Sequence, residues 1–190
     1  MPGTIFQESG IQFEFSEEWV VKKYDDHRFY KYLSGRGFSG VDFISIRNGK
    51  EVVFWEMKNF LPRPGGRGHD PEQTLEDDPE RFYYEISEKV KDTLLLIDTV
   101  KKYYLRKWWF RWFYRYFKNR KKPQADWIFW SQLDELIQEK GVHFILWMET
   151  KRLDAQHFAE PIQAKLLALN ARIEILNRQH NPYAPSVKTS

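Results

Sequence analysis

The chain has no cysteine. Disulfides and thiolate metal sites are excluded, and the absence is compatible with a reducing compartment, so a cytoplasmic location is expected. No stretch approaches the ~18 apolar residues of a membrane span. The opening residues Met-Pro-Gly-Thr-Ile-Phe-Gln-Glu lack the basic-then-apolar form of a signal peptide. No internal repeat is present. Net positive charge is also scarce: +3 over 190 residues excludes a uniformly basic protein.

Aromatic residues are abundant, at 17% of a chain that is 42% hydrophobic, which implies bulky packing or an adhesive surface. The length fits a single domain with a real core, over residues 1–180. The polar stretch 181–190 is expected to be a disordered tail. The small net charge hides an asymmetry. Residues 101–122 hold ten Lys/Arg, ten aromatics and no acid, leaving twenty basic against twenty-seven acidic residues elsewhere, a net of −7. Cations interleaved with aromatics suit phosphates and bases. They equally suit a homodimer interface with a basic rim or a membrane interface. The nucleic-acid reading names Arg111, Arg115, Lys118, Lys121 and Lys122 as phosphate contacts.

The chemistry concentrates elsewhere. Two apolar runs, Gly40–Ile46 and Val52–Phe60, flank Asn48-Gly49 and predict a β-hairpin. Asp42 opens the first strand, and Glu56 and Lys58 share one face of the second, with Trp55 and Met57 on the other. Two converging carboxylates make a hard-oxygen site suited to Mg²⁺ or Mn²⁺. A lysine beside them can orient water and offset developing negative charge. The register decides whether this site exists. A two-residue Asn48-Gly49 turn would set Asp42 against Trp55; a three-residue loop or a bulge would set it against Glu56. The bland alternative is a salt bridge between Glu56 and Lys58 on an exposed sheet face.

Asp42 followed by Glu56-Met57-Lys58 resembles the D…ExK signature of the PD-(D/E)xK nuclease superfamily, the restriction-endonuclease-like and Holliday-resolvase-like fold. The leading proline of that signature is replaced by Val41. The order Trp-x-Val-x-Lys-Tyr-Asp-Asp, Phe-Tyr, Val-Asp-Phe and Glu-x-Lys is similar to an uncharacterised bacterial branch of the superfamily. The resemblance implies Asp42 and Glu56 as metal ligands and Lys58 as base or charge stabiliser. It implies an upstream acid completing the site: Asp25 or Asp26 first, then Glu18 or Glu17. It implies that Lys89, on the helix after the ExK strand, contacts the scissile phosphate. The bland readings are an N-cap for Asp25 or Asp26 and a surface lysine for Lys89.

The remaining chain is read as follows. Residues 11–24 predict a hairpin or two short strands turning at Ser16–Glu18, or else a helix starting at Ser16. Residues 27–33 predict a helix beginning at Asp25-Asp26. The Pro/Gly-rich stretch 61–79 predicts a long loop; its His69-Asp70 pair is a poor ligand set. Asp78-Pro79 starts a helix whose core face carries Ile86, Val90, Thr93, Leu94, Ile97 and Val100. A helix from Ser131 to Gly141, a core strand over 142–148 containing a packed His143, a helix over 161–169 and a strand over 172–176 follow. The expected fold class is α/β: a mixed central β-sheet flanked by helices, with the resemblance implying an αβββαβ core carrying an inserted basic aromatic helical segment. The expected function is a Mg²⁺- or Mn²⁺-dependent endonuclease acting on DNA. The alternative is a non-catalytic nucleic-acid-binding or assembly protein on a nuclease-like fold.

Overall fold

A computed structural model describes residues 4–24, 30, 37–61, 70–106, 126–184 and 187–189. Two sheets and four helices make up the described residues. The larger sheet is mixed, with strands β3 (Trp19–Lys23), β4 (Phe43–Arg47), β5 (Glu51–Asn59), β6 (Val142–Glu149) and β7 (Ala171–Leu176) side by side in that order. The pairs β3–β4 and β4–β5 are antiparallel; β5–β6 and β6–β7 are parallel. The smaller sheet is antiparallel, with β2 (Ile11–Phe15) between β1 (Thr4–Glu8) and β8 (Val187–Thr189).

The sequence of β5 and β6 explains their central position. Parallel strands covered on both faces read as near-continuous apolar runs, and all eight residues of β6 are buried. One face of the large sheet packs on the small one. Ile11, Phe13 and Phe15 there meet Phe43, Val53, Trp55, Met57, Ile145 and Trp147. Much of the aromatic excess is spent in this layer: Phe13 lies edge-on to Trp147 and Phe15 edge-on to Trp55, each at 5.2 Å between ring centroids. The other face, with Ile44, Ile46, Val52, Phe54, Phe144 and Leu146, packs on helices. These helices are α1 (Pro71–Asp77), α2 (Pro79–Leu105), α3 (Asp126–Lys140) and α4 (Ala159–Leu166).

Helix α2 begins where the sequence predicts. Asp78 accepts a bond from Arg81 N at 3.1 Å, and Pro79 takes the first helical position. Ile86, Val90, Thr93, Ile97 and Val100 are buried along its core face. Three other expectations are corrected. The loop predicted over 61–79 contains α1, capped by Asp70, which accepts from Glu72 N at 3.0 Å. Helix α3 is already formed at Asp126, so Ser131 lies within it instead of capping it. Residues 11–24 form the two short strands of one reading, turning at Ser16–Glu18, where Trp19 N donates to Ser16 O at 3.1 Å; they are neither a hairpin nor a helix, because β2 pairs with β1 and β8 whereas β3 pairs with β4.

The tail expected over residues 181–190 is ordered where it is described. Tyr183 packs edge-on to Trp19 at 5.6 Å and donates to Glu174 at 3.0 Å, and Val187 is fully buried in β8. The antiparallel ladder of β8 on β2 and the contacts of Tyr183 with Trp19 and Trp55 hold these residues against the fold. Of the helix expected over 27–33 only Tyr30 is described, its ring 4.5 Å from that of Tyr24, and residues 107–125 lie outside the described residues. Among the described residues no helix is long and apolar enough to cross a membrane.

Candidate active site

The hairpin register is the deciding feature. Arg47 pairs with Glu51 and Phe43 with Trp55, so Asn48, Gly49 and Lys50 form a three-residue loop. Asn48 and Gly49 both take positive φ, at 52° and 66°, the left-handed conformation that Asn and Gly tolerate. The next pair in this register is Asp42 with Glu56. Both therefore lie on the helix-facing side of the sheet, with Ile44, Phe54 and Lys58. Trp55 and Met57 point the other way, into the aromatic layer.

Glu56 is fully buried. Its Oε1 receives Lys58 Nζ at 2.8 Å and, from helix α2, Lys89 Nζ at 2.7 Å. Its Oε2 is buried and has no hydrogen-bond partner. A buried carboxylate is costly unless paired, so the two lysines account for one oxygen and leave the other open. Asp42 Oδ2 accepts from Met57 N at 2.7 Å. Burial, then the charge of Glu56, push the Asp42 carboxyl up to about 7, against the opposing pull of the Met57 N–H and Lys89.

The backbone around Asp42 is held from three directions. Tyr24 N donates to Asp42 O at 2.9 Å. Gly40 makes room for the Tyr24 ring, because a Cβ at that position would lie 1.8 Å from it. Thr93 Oγ1 on α2 accepts from Val41 N at 3.1 Å and donates to Lys89 O at 2.7 Å. Asp92 accepts from Ser39 N at 2.9 Å. Thr93 thus links the segment carrying Asp42 to the turn of α2 carrying Lys89.

The structure brings together Asp42, Glu56, Lys58 and Lys89. It does not bring Glu18, which sits at the opposite end of β4, accepting from Asn48 Nδ2 at 3.2 Å with Arg47 Nε at 3.6 Å. Glu17 precedes it in the same turn. Asp25 and Asp26 lie outside the described residues, as do Arg111, Arg115, Lys118, Lys121 and Lys122. Three cations of the basic aromatic stretch are described: Lys101, Lys102 and the exposed Arg106. Lys101 and Lys102 pair with Asp134 and Asp98 on neighbouring helical surface, so acids from outside the stretch offset these two.

Sequence reasoning missed a further group at the site. Glu8, at the end of β1, adds negative potential at Asp42 and pairs with Lys23 at 2.9 Å. Its neighbour Ser9 donates to Met57 O at 3.1 Å, and Asn59 Nδ2 donates to Ser9 O at 3.1 Å. No local pattern marks this, because the β1–β2 turn reaches the end of β5 only through tertiary packing. His143, read as a packed residue, is 7% exposed and sits between Glu51 and Glu174 at 3.2 and 3.0 Å.

Asp42 and Glu56 supply the hard oxygen donors that Mg²⁺ or Mn²⁺ takes, and the unpartnered Oε2 of Glu56 fits such an ion. Among the described residues there is no group of three or more His, Asp or Glu side chains placed to hold a metal. The remaining ligands would have to come from water, substrate or the acids following Tyr24. Comparison with protein-family models, with curated proteins and with solved structures finds no match to this chain.

Proposed function

We propose that the protein is a divalent-metal-dependent nuclease hydrolysing phosphodiester bonds, in DNA, on a restriction-endonuclease-like core. The observation that carries this reading is the register-matched pair Asp42 and Glu56, with Lys58 and Lys89 converging on Glu56 and one buried oxygen of Glu56 left open. Asp42 and Glu56 would hold Mg²⁺ or Mn²⁺. When bound, such an ion polarises a phosphoryl oxygen and lowers the pKa of a water.

The chain's own groups do the rest. Lys58, with a side chain 32% exposed, is the ammonium open to solvent at the rim. It orients the attacking water through Nζ and offsets charge that develops on the phosphate. Lys89 approaches from α2, where it bonds Glu56, and holds a non-bridging phosphate oxygen. Met57 N–H fixes one Asp42 oxygen and thereby the direction of the other.

A second reading has its own observation. Both lysines already bond Glu56, so this chain's own cations partner the carboxylate. A non-catalytic nucleic-acid-binding or assembly protein would need no more than this. Incubation with plasmid, linear, single-stranded and branched DNA, with and without Mn²⁺, separates the two. Metal-dependent cleavage that disappears in Asp42→Asn supports the nuclease; binding without cleavage of any of these supports the second reading.

A further inference from the structure

Beside the candidate site lies a cavity of about 240 Å³ between the end of β5, α1 and the first turns of α2. Phe60, Leu75 and Phe82 form its apolar walls; Asp78, Arg81 and Glu85 form its polar rim. Phe82 and Leu75 are firmly buried, at 8% and 4% exposure, and Phe60 meets Phe82 edge-on at 6.0 Å. The cavity therefore has a fixed aromatic wall.

Its position follows from element geometry. Phe60 comes two residues after Lys58 on the same face of the extended chain, a step of ~7 Å. Glu85 lies one helical turn before Lys89, ~6 Å along the axis. The cavity thus opens within one nucleotide's reach of the two lysines. Its volume is below the ~300–1,000 Å³ of pockets that hold whole drug-sized ligands, which suits a single flat ring system. The rim chemistry excludes phosphate: Asp78 and Glu85 oppose one cation, Arg81, which Glu85 already holds at 2.8 Å.

We infer that this cavity receives one nucleobase of the nucleotide whose phosphate lies against Lys58 and Lys89, an inference that rests on the nuclease reading. The base packs on Phe60 and Phe82, and Arg81 and Glu85 meet its polar edge. Both side chains are well exposed, at 74% and 54%, so they can turn toward that edge. A base seated here is out of any duplex stack. The preferred substrate is then single-stranded, frayed or flipped at the cleaved nucleotide.

The test uses the full chain with Mn²⁺ and compares binding of deoxyadenosine 5′-monophosphate with that of 2-deoxyribose 5-phosphate by calorimetry. Stacking of one base on an aromatic side chain predicts at least about tenfold tighter binding of the nucleotide. Phe60→Ala should bring the two affinities within about twofold, and Phe60→Trp should keep the difference. Phe60→Leu, which retains apolar volume, serves if the alanine variant fails to fold, and it should lose most of the difference. Equal affinity of the two ligands for the unmutated protein overturns the base cavity alone. Failure of both to bind overturns the cavity together with the phosphate site. DNA cleavage, measured separately, judges the nuclease reading.

Discussion

Lys89 Nζ lies 2.7 Å from Glu56 Oε1 although 33 positions separate them in the chain. With Lys58 at 2.8 Å, two ammonium groups share one carboxylate oxygen while the other, equally buried, has none. Such a lopsided arrangement is poorly explained by stability alone, since a single lysine would neutralise Glu56. It leaves a buried oxygen on the residue whose charge also acts on Asp42.

If Asp42 and Glu56 hold an ion, Mn²⁺ should raise the unfolding temperature. At a hundred times Kd the gain is about 2.7 kcal/mol. Asp42→Asn should remove the response. The response should also depend on pH, because Asp42 is held up to about 7 and must lose its proton to bind. Below that value, affinity should fall by up to about tenfold per pH unit. In the metal-free protein the sign reverses: the contribution of protonated Asp42 to stability is present below about 4 and lost as pH rises through about 7. Equal Mn²⁺ stabilisation at pH 5 and pH 8 would remove Asp42 from the site.

Lys58 and Lys89 should be non-additive in stability. Removing either leaves Glu56 one partner and should cost about 1–2 kcal/mol. Removing both leaves a buried, unpaired carboxylate, at about 3–5 kcal/mol. A urea-denaturation double-mutant cycle measures the coupling. Catalysis should separate the two lysines from simple stability: Lys58→Ala should lower metal-dependent cleavage at least about a hundredfold while the fold persists. Full activity in that variant takes Lys58 out of the mechanism.

His143 gives a second pH effect at the opposite end of β5. Burial, then the neighbouring Arg172, lower its pKa, against the pull of Glu51 and Glu174. Tyr183 also reaches the ring, with its hydroxyl 3.3 Å from Nδ1. The unfolded chain binds a proton more readily than the folded one, so this contribution is complete above about 6.5 and is lost as pH falls below it. His143→Gln should flatten the fall in urea midpoint between pH 7 and pH 5. An unchanged slope would show that other groups set the acid limit.

The site was legible because its chemistry is local. Asp42, Glu56 and Lys58 lie on two adjacent strands, and Asn48-Gly49 limits the register to two choices. Lys89 was legible only through the resemblance, since nothing in α2 alone aims it at Glu56. Helix α1 carried a readable signal: Asp70-Pro71 repeats the aspartate–proline start that identifies α2 at Asp78-Pro79. The surrounding Pro/Gly-rich composition outweighed it. Ser131 misled for the opposite reason, being a good capping residue buried inside α3. Glu8 and β8 depend on pairing between distant segments, which no window of sequence reports.

The C-terminal residues illustrate that last point and can be tested. Arg47 stacks over the rings of both Tyr183 and Trp19, at 5.1 Å each. Burial, assisted by Glu174, raises the Tyr183 hydroxyl well above its ordinary pKa. Tyr183→Ala should therefore cost about 2–3 kcal/mol, through lost ring packing and the lost bond to Glu174. Tyr183→Phe should cost about 1 kcal/mol. Denaturation midpoints within error of the unmutated protein would return residues 181–190 to the status of a free tail.

The basic aromatic stretch should reveal itself through salt. Lys101 and Lys102 are paired with acids, so the test falls on the other eight cations of residues 101–122. If the cations of this stretch meet nucleic acid, log affinity should fall linearly with log salt, with a slope approaching −0.9 per phosphate neutralised on a duplex and about −0.7 on a single strand. Some three to six contacts are expected, giving a slope of roughly −2 to −5. Replacing Arg111, Arg115, Lys118, Lys121 and Lys122 with Gln should flatten it while leaving the Mn²⁺ response at Asp42 and Glu56 intact. A homodimer built on the same stretch predicts a different result: Trp109, Trp112 and Phe113 changed to Ser would yield monomers, and salt would affect DNA binding little. Titration from low to high salt, with mass measured in parallel, distinguishes them. An affinity that does not move with salt removes the nucleic-acid role of the stretch.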